Sequence, residues 1–331
     1  MRCRLFFAAI SLLVVAGGCG NGRDALTIYS GREESLIAPL LEKFAQESDV
    51  DIDVRYGDSV DLALLIAEEG SSTPADVFFS QSPGTVGYLD SQEMLAQLDA
   101  EVLDAVDSRF EADDGKWVGI TARQRVLVYN TEVVDASDLP NSVLDLTGEQ
   151  YAGKVALAPS NASFQDFVTA MRQVMGDDAA RDWLEGMAAN NSPTYADNSS
   201  IVAAVGRGEI PMGLVNHYYN YRALDEDPDQ PSRNYVFPGR DIGALLIAST
   251  VSVVEGTDRR DDAARFVEFL LSKQAQEYFS EETFEYPLAA GVSPTEGLEP
   301  LDAVDAPDVD IGALGGDLRS TAQMIVESGL L

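Results

Sequence analysis

The amino-acid sequence predicts an α/β protein of two lobes joined by a hinge, with a cleft between them. Three observations carry this prediction. Short apolar runs alternate with segments of helical periodicity, the pattern of βαβ units around a mainly parallel sheet. The length of 331 residues suggests two compact units at about 100 to 200 residues each. A polar joint, Ala122-Arg123-Gln124-Arg125, interrupts the apolar pattern, and a second alternating set begins after it.

The elements follow in order. Residues 26–29 read as a strand, and Leu36, Ile37, Leu40, Leu41 and Phe44 then line one face of a helix. Residues 52–56 form the next strand, followed by a helical stretch around 62–69 and a strand at 75–79 that enters a Ser/Gln/Pro/Gly turn. Ligands of such sheets sit beyond the carboxyl ends of strands, which directs attention to the loops 30–34 and 80–85. Apolar stretches at 117–121 and 126–130 flank the polar joint. The second set comprises a strand at 155–158 ending in Pro159-Ser160-Asn161-Ala162-Ser163, a helix from about 164 to 175, and a strand at 212–215 running into Asn216-His217-Tyr218-Tyr219. A buried strand pair at 244–254, one long helix over 261–279, an extended Pro/Asp-rich surface segment at 292–311 and a final helix from about 317 to 328 complete the chain. Crossings near 121–123 and 248–250 divide it into lobe one, 25–121 with 250–290, and lobe two, 122–249 with 291–331.

Composition excludes several functions. Twenty-two Lys and Arg face 56 Asp and Glu, a formal net charge of −34 on a chain that is 45% apolar. That apolar content is globular, and a surface so acidic repels phosphate backbones, so nucleic acid is not a partner. Arg2 and Arg4, an apolar run over 5–16 and Gly17-Gly18-Cys19 make an export signal, too short to span a bilayer. The only cysteines are Cys3 and Cys19, and His217 is the only histidine. Clusters of Cys and His ligands are therefore impossible, and a metal site in this chain must be built from oxygen.

The unusual local feature is Tyr218 beside Tyr219, directly after an apolar strand. Neighbours on a regular backbone do not both face one core, so packing for one ring and exposure for the other is the plain reading. The chemical alternative is that both are ligands, since phenolate is a hard anionic donor suited to trivalent iron. His217 is expected to point away from one or both tyrosines, supporting them from behind or lying on the surface, rather than to serve as a ligand. Tyr195, Tyr235 and Tyr286 read as core or surface tyrosines, and the acidic runs at 225–227 and 302–310 lack the spacing of a calcium loop. Ser160 to Ser163 serve equally as a helix N-cap or as an anion seat, where free N–H groups and a positive dipole end would meet the ligand.

Four runs carry a wider resemblance: Leu26-Thr27-Ile28-Tyr29-Ser30-Gly31-Arg32-Glu33, Thr73-Pro74-Ala75-Asp76-Val77-Phe78, Leu214-Val215-Asn216-His217-Tyr218-Tyr219, and Phe269-Leu270-Leu271-Ser272 with Glu285-Tyr286-Pro287-Leu288. With them the chain resembles the ferric-iron-binding proteins of bacterial ABC importers, which have the type II periplasmic binding protein fold. The resemblance implies Fe(III) as cargo, held by Tyr218 and Tyr219. Glu33 and Gln81 stand where family members often carry an auxiliary histidine and glutamate; Glu33 is a sensible oxygen donor and Gln81 a weak one. A synergistic anion such as carbonate, phosphate or citrate is implied on Ser160, Asn161, Ala162 and Ser163, on Asn198 and Asn216, and on Arg123 or Arg125. The start of the chain resembles a lipoprotein signal, 1–18, with lipid on Cys19 and a tether over 19–24, placing the protein in the periplasm or on the outer face of the membrane as a monomer that serves an ABC permease. Two rivals remain open: the same fold binding a small anion or organic solute without metal, and a secreted hydrolase, which lacks a serine elbow near His217.

Overall fold

The structure is a computed structural model that describes residues 25–331. The export signal, the tether and Cys19 lie outside the described residues. Nine strands form one sheet: β1 (Leu26–Ser30), β2 (Ile52–Tyr56), β3 (Val77–Ser80), β4 (Val118–Asn130), β5 (Val155–Ala156), β6 (Met212–Asn216), β7 (Ser232–Tyr235), β8 (Leu246–Val253) and β9 (Tyr286–Pro287). The order is β2-β1-β3-β8-β4-β6-β5, with β7 and β9 pairing on β4.

The first part is parallel. β1 pairs with β2 in the register Leu26 to Ile52 and with β3 in the register Ile28 to Val77. Parallel neighbours need crossovers, supplied by the helices Glu34–Ser48 and Ser59–Glu69. The first buries Leu36, Ile37, Leu40, Leu41 and Phe44, the five positions whose spacing marks the helix in the sequence. Phe44 meets Phe266 edge-on at 5.1 Å.

β4 joins the two parts. Its first half, through Gln124, pairs antiparallel with β8, and from Arg125 onward it pairs with β6 and then β7. The two apolar stretches and polar joint of the sequence are thus one 13-residue strand, and Arg123, Gln124 and Arg125 are all buried within it. Alternation along the strand puts Arg123 and Arg125 on one face and Ala122 and Gln124 on the other. Thr121 pairs with Ser249 and Ala122 with Ala248. The expected strand pair at 244–254 is a single strand, β8, entered through a short 3-10 turn at Ile242–Ala244.

The long helix expected over 261–279 is two, Arg260–Leu271 and Lys273–Glu281, because the Ser272 hydroxyl caps the second by accepting from the Ala275 N–H. The C-terminal helix Leu318–Glu327 packs on the helix Ala162–Met175, where Thr169 and Thr321 hydroxyls are 2.8 Å apart. The segment before it, Gly312–Asp317, packs along the helix Pro83–Ser91. No helix among the described residues is long and apolar enough to cross a membrane.

Candidate functional site

β6 ends at Asn216, and the helix His217–Glu226 starts immediately after it. This strand-to-helix junction overrides the alternation that would separate neighbouring side chains. Tyr218 and Tyr219 stack with ring centroids 4.2 Å apart, and both are buried, at 0% and 4% exposure. The Tyr219 hydroxyl donates to Glu33 Oε1 at 3.1 Å, from the loop after β1, while the Tyr218 hydroxyl is buried without a hydrogen-bond partner. Burial pushes the Tyr218 hydroxyl up to about 12, with the charge of Arg32 working the other way. Burial, then Tyr218 and Glu33, hold Tyr219 well above the ordinary phenol range. Both phenols are neutral at neutral pH.

His217 is buried behind the pair. Its Nδ1 accepts from the Gln124 N–H at 3.0 Å, and its Nε2 lies 2.9 Å from the Phe284 carbonyl, to which it donates. Burial pulls its pKa down to about 4. Both ring nitrogens are committed to backbone groups, so the imidazole has no nitrogen left to activate a serine.

The residues expected to seat an anion form a connected cluster, with one exception. Arg125 donates to Asn216 Oδ1 at 3.1 Å and to Asn198 Oδ1 at 3.5 Å. Asn216 donates to Ser163 Oγ at 3.1 Å, Arg123 reaches the same hydroxyl at 3.4 Å, and Asn198 donates to Asn161 Oδ1 at 3.3 Å. Asn161 also caps the helix Ala162–Met175 by accepting from the Ser163 N–H, so its side-chain oxygen serves the N-cap and the cluster at once. Ala162 is buried at the first turn. Ser160 is exposed and turns only its carbonyl inward, to Gln165. Gln81 meets the cluster through its backbone, its carbonyl accepting from Arg123.

Several groups in this cleft escape a reading of the sequence. Arg32 and Glu285 form an ion pair at 0% side-chain exposure, and Glu285 also accepts from Thr121 and Thr283, each at 3.0 Å. Its three partners come from three segments, and 253 positions separate the two charges, so no local pattern announces it. Arg32 Nε and Nη1, Arg123 Nε and Nη1, and Arg125 Nη2 are buried donors without partners. Such groups are costly unless a ligand meets them. Asp166 is a further buried acid at the cleft, held up to about 7 by burial. Burial, with Arg123 beside it, lowers Arg125 to about 9, still a cation at neutral pH. Among the described residues no cluster of three His, Cys, Asp or Glu side chains comes together. The chemistry on offer is paired phenols with Glu33, next to buried guanidinium groups that keep several N–H donors without a partner.

Comparisons with known proteins bear on the family and the fold. Residues 72–310 match the bacterial extracellular solute-binding protein family. The chain is 30% identical to the Fe(3+)-binding periplasmic protein of Serratia marcescens over 98% of this chain and 96% of the relative. It is 32% identical to the major ferric iron-binding protein of Neisseria meningitidis over 92% of this chain and 93% of the relative. Iron-bound HitA from Pseudomonas aeruginosa superposes with a TM-score of 0.88 at 31% identity, covering 92% of this chain and 99% of that one. A Trichodesmium protein in complex with iron and citrate shares the fold, with a TM-score of 0.78 at 24% identity over 92% of this chain and 99% of its own. From the match over most of its length, the chain belongs to the bacterial extracellular solute-binding proteins and has their two-lobe type II fold.

Proposed function

We propose that the chain captures Fe(III) in the cleft between its lobes and delivers it to an ABC permease. The observation that carries this reading is the stacked, buried pair Tyr218 and Tyr219, with Glu33 on one hydroxyl and no partner on the other. On binding, each phenol would lose its proton and present a hard anionic oxygen to a hard trivalent ion. Glu33 would then turn from accepting the Tyr219 proton to donating a lone pair. These three donors leave an octahedral ion short of ligands, and an anion such as carbonate, phosphate or citrate would complete the shell on Asn161, Ala162, Ser163, Asn198, Asn216, Arg123 and Arg125. The unpartnered guanidinium N–H groups support that seat. The lobes, 25–121 with 250–290 and 122–249 with 291–331, would close about the β4–β8 pair. Cleavage before Cys19 and lipid on its sulfur would hold the protein at the outer face of a membrane.

Ferric citrate added to the purified protein should produce a visible phenolate-to-iron charge-transfer band, and Zn(II) should bind more weakly than Fe(III). Tyr218→Phe and Tyr219→Phe should each remove the band. A colourless iron complex, or a band that survives both single substitutions, overturns the assignment.

A further inference from the structure

Asp166 has no part in the ligand set above, yet it is 1% exposed in the middle of the cleft. It lies three residues beyond Ser163 on the helix Ala162–Met175, so the two side chains share a face. Its Oδ1 accepts from the Ser82 hydroxyl at 2.6 Å, which comes from the loop after β3 on the opposite side of the cleft. Its Oδ2 is buried with no hydrogen-bond partner. The approach depends on Gly84, where an added Cβ would stand 2.9 Å from Oδ1. The charged groups facing the carboxylate are Arg123 and Arg125 from β4 and Asp58 from the loop after β2.

We propose that Asp166 is a specificity-determining residue of the anion seat, a built-in carboxylate that occupies the positive field of Arg123 and Arg125 and competes there with the exogenous anion. The inference rests on the reading of that cluster as an anion seat. Two buried guanidinium groups attract an anion strongly in a site that excludes water, and a fixed negative charge beside them cancels part of that attraction. Asp166 titrates at about 7, while Arg125, at about 9, and His217, at about 4, keep one state on either side of neutrality. Filling of the seat is thereby weakest when Asp166 is ionised.

Sulfate is a suitable probe, because it keeps its two charges throughout this range. Calorimetric titration of sulfate into the iron-free protein at fixed ionic strength and about pH 8 should show Asp166→Asn binding at least about tenfold more tightly than the parent. Lowering the pH to about 6 should bring the parent towards the variant and leave the variant unchanged, a response that loss of packing alone would not give. Ser82→Ala breaks the contact across the cleft and removes a hydrogen bond that favours the ionised carboxylate, so its sulfate affinity at about pH 8 should lie between those of the parent and Asp166→Asn. Equal sulfate affinity in the parent and Asp166→Asn overturns the role of Asp166. Sulfate binding to neither protein at either pH overturns the anion seat, and the role with it.

Discussion

Replacing Tyr218 by Phe should stabilise the iron-free protein while abolishing its iron complex. The Tyr218 hydroxyl is fully buried and has no hydrogen-bond partner. An unsatisfied buried polar group costs about 1–3 kcal/mol, and phenylalanine removes it without changing the ring that stacks on Tyr219. For a chain of about 300 residues the entropy of unfolding is roughly 0.6 kcal/mol per degree, so a relief of 1–2 kcal/mol raises Tm by about 2–3 °C. Tyr219→Phe should behave differently, because its hydroxyl donates to Glu33 at 3.1 Å. Losing that bond costs about 0.5–1.5 kcal/mol, and partly buried Glu33 recovers some of this from water. Thermal unfolding of metal-stripped parent and variants, followed by circular dichroism, separates the two cases. The stored cost of an idle hydroxyl is what a ligand held ready for a metal requires. A Tyr218→Phe protein that melts several degrees below the parent would refute the reasoning, since the hydroxyl would then be satisfied in the folded state.

Three further outcomes follow from the same geometry. With Tyr218 pushed up to about 12 and Tyr219 raised with it, iron binding at neutral pH should release about two protons per ion, and affinity should fall as acid is added; release of fewer than one, measured in weakly buffered solution, contradicts paired phenolates. Glu285→Ala strands Arg32 in a dry site and should cost about 3–5 kcal/mol, lowering Tm by several degrees, whereas Glu285→Gln, which keeps the hydrogen-bond acceptor, should cost less; an unchanged Tm in Glu285→Ala would show the pair to be idle. A net charge of −34 opposes compaction and is screened by salt, whose Debye length is about 3 Å at 1 M, so Tm should climb between low and molar potassium chloride; a flat profile contradicts that account of the surface.

The sequence discloses the pieces of this site that are local. The five apolar positions of Glu34–Ser48 all turn inward, and Tyr218 and Tyr219 stand directly after a buried strand. Arg123 and Arg125 are visible as residues but not as part of a strand, because charge in the middle of an apolar stretch reads as a break; the β8 pairing on one side and the β6 pairing on the other hold them inside the sheet. The stacking of the two tyrosines likewise depends on the strand-to-helix junction. The Arg32–Glu285 pair and the Ser82–Asp166 contact join segments 253 and 84 positions apart, a scale at which periodicity carries no information. Asp166 leaves one local trace, an acid three residues after Ser163 on a helix whose first three turns are buried, Asp166 included. The break at Ser272 has a sequence signal too, a serine in position to cap the helix that follows.

The central claim is that Tyr218 and Tyr219 together hold the cargo. It is tested most directly by a crystal structure of the iron-loaded protein with anomalous scattering recorded at the iron edge, because 56 acidic residues offer iron many surface sites that bulk affinity measurements do not distinguish from the cleft. A single strong peak is expected within bonding distance of both tyrosine hydroxyl oxygens and on the Glu33 side of the pair. Iron found only on surface carboxylates, with Tyr219 still hydrogen-bonded to Glu33, would contradict it.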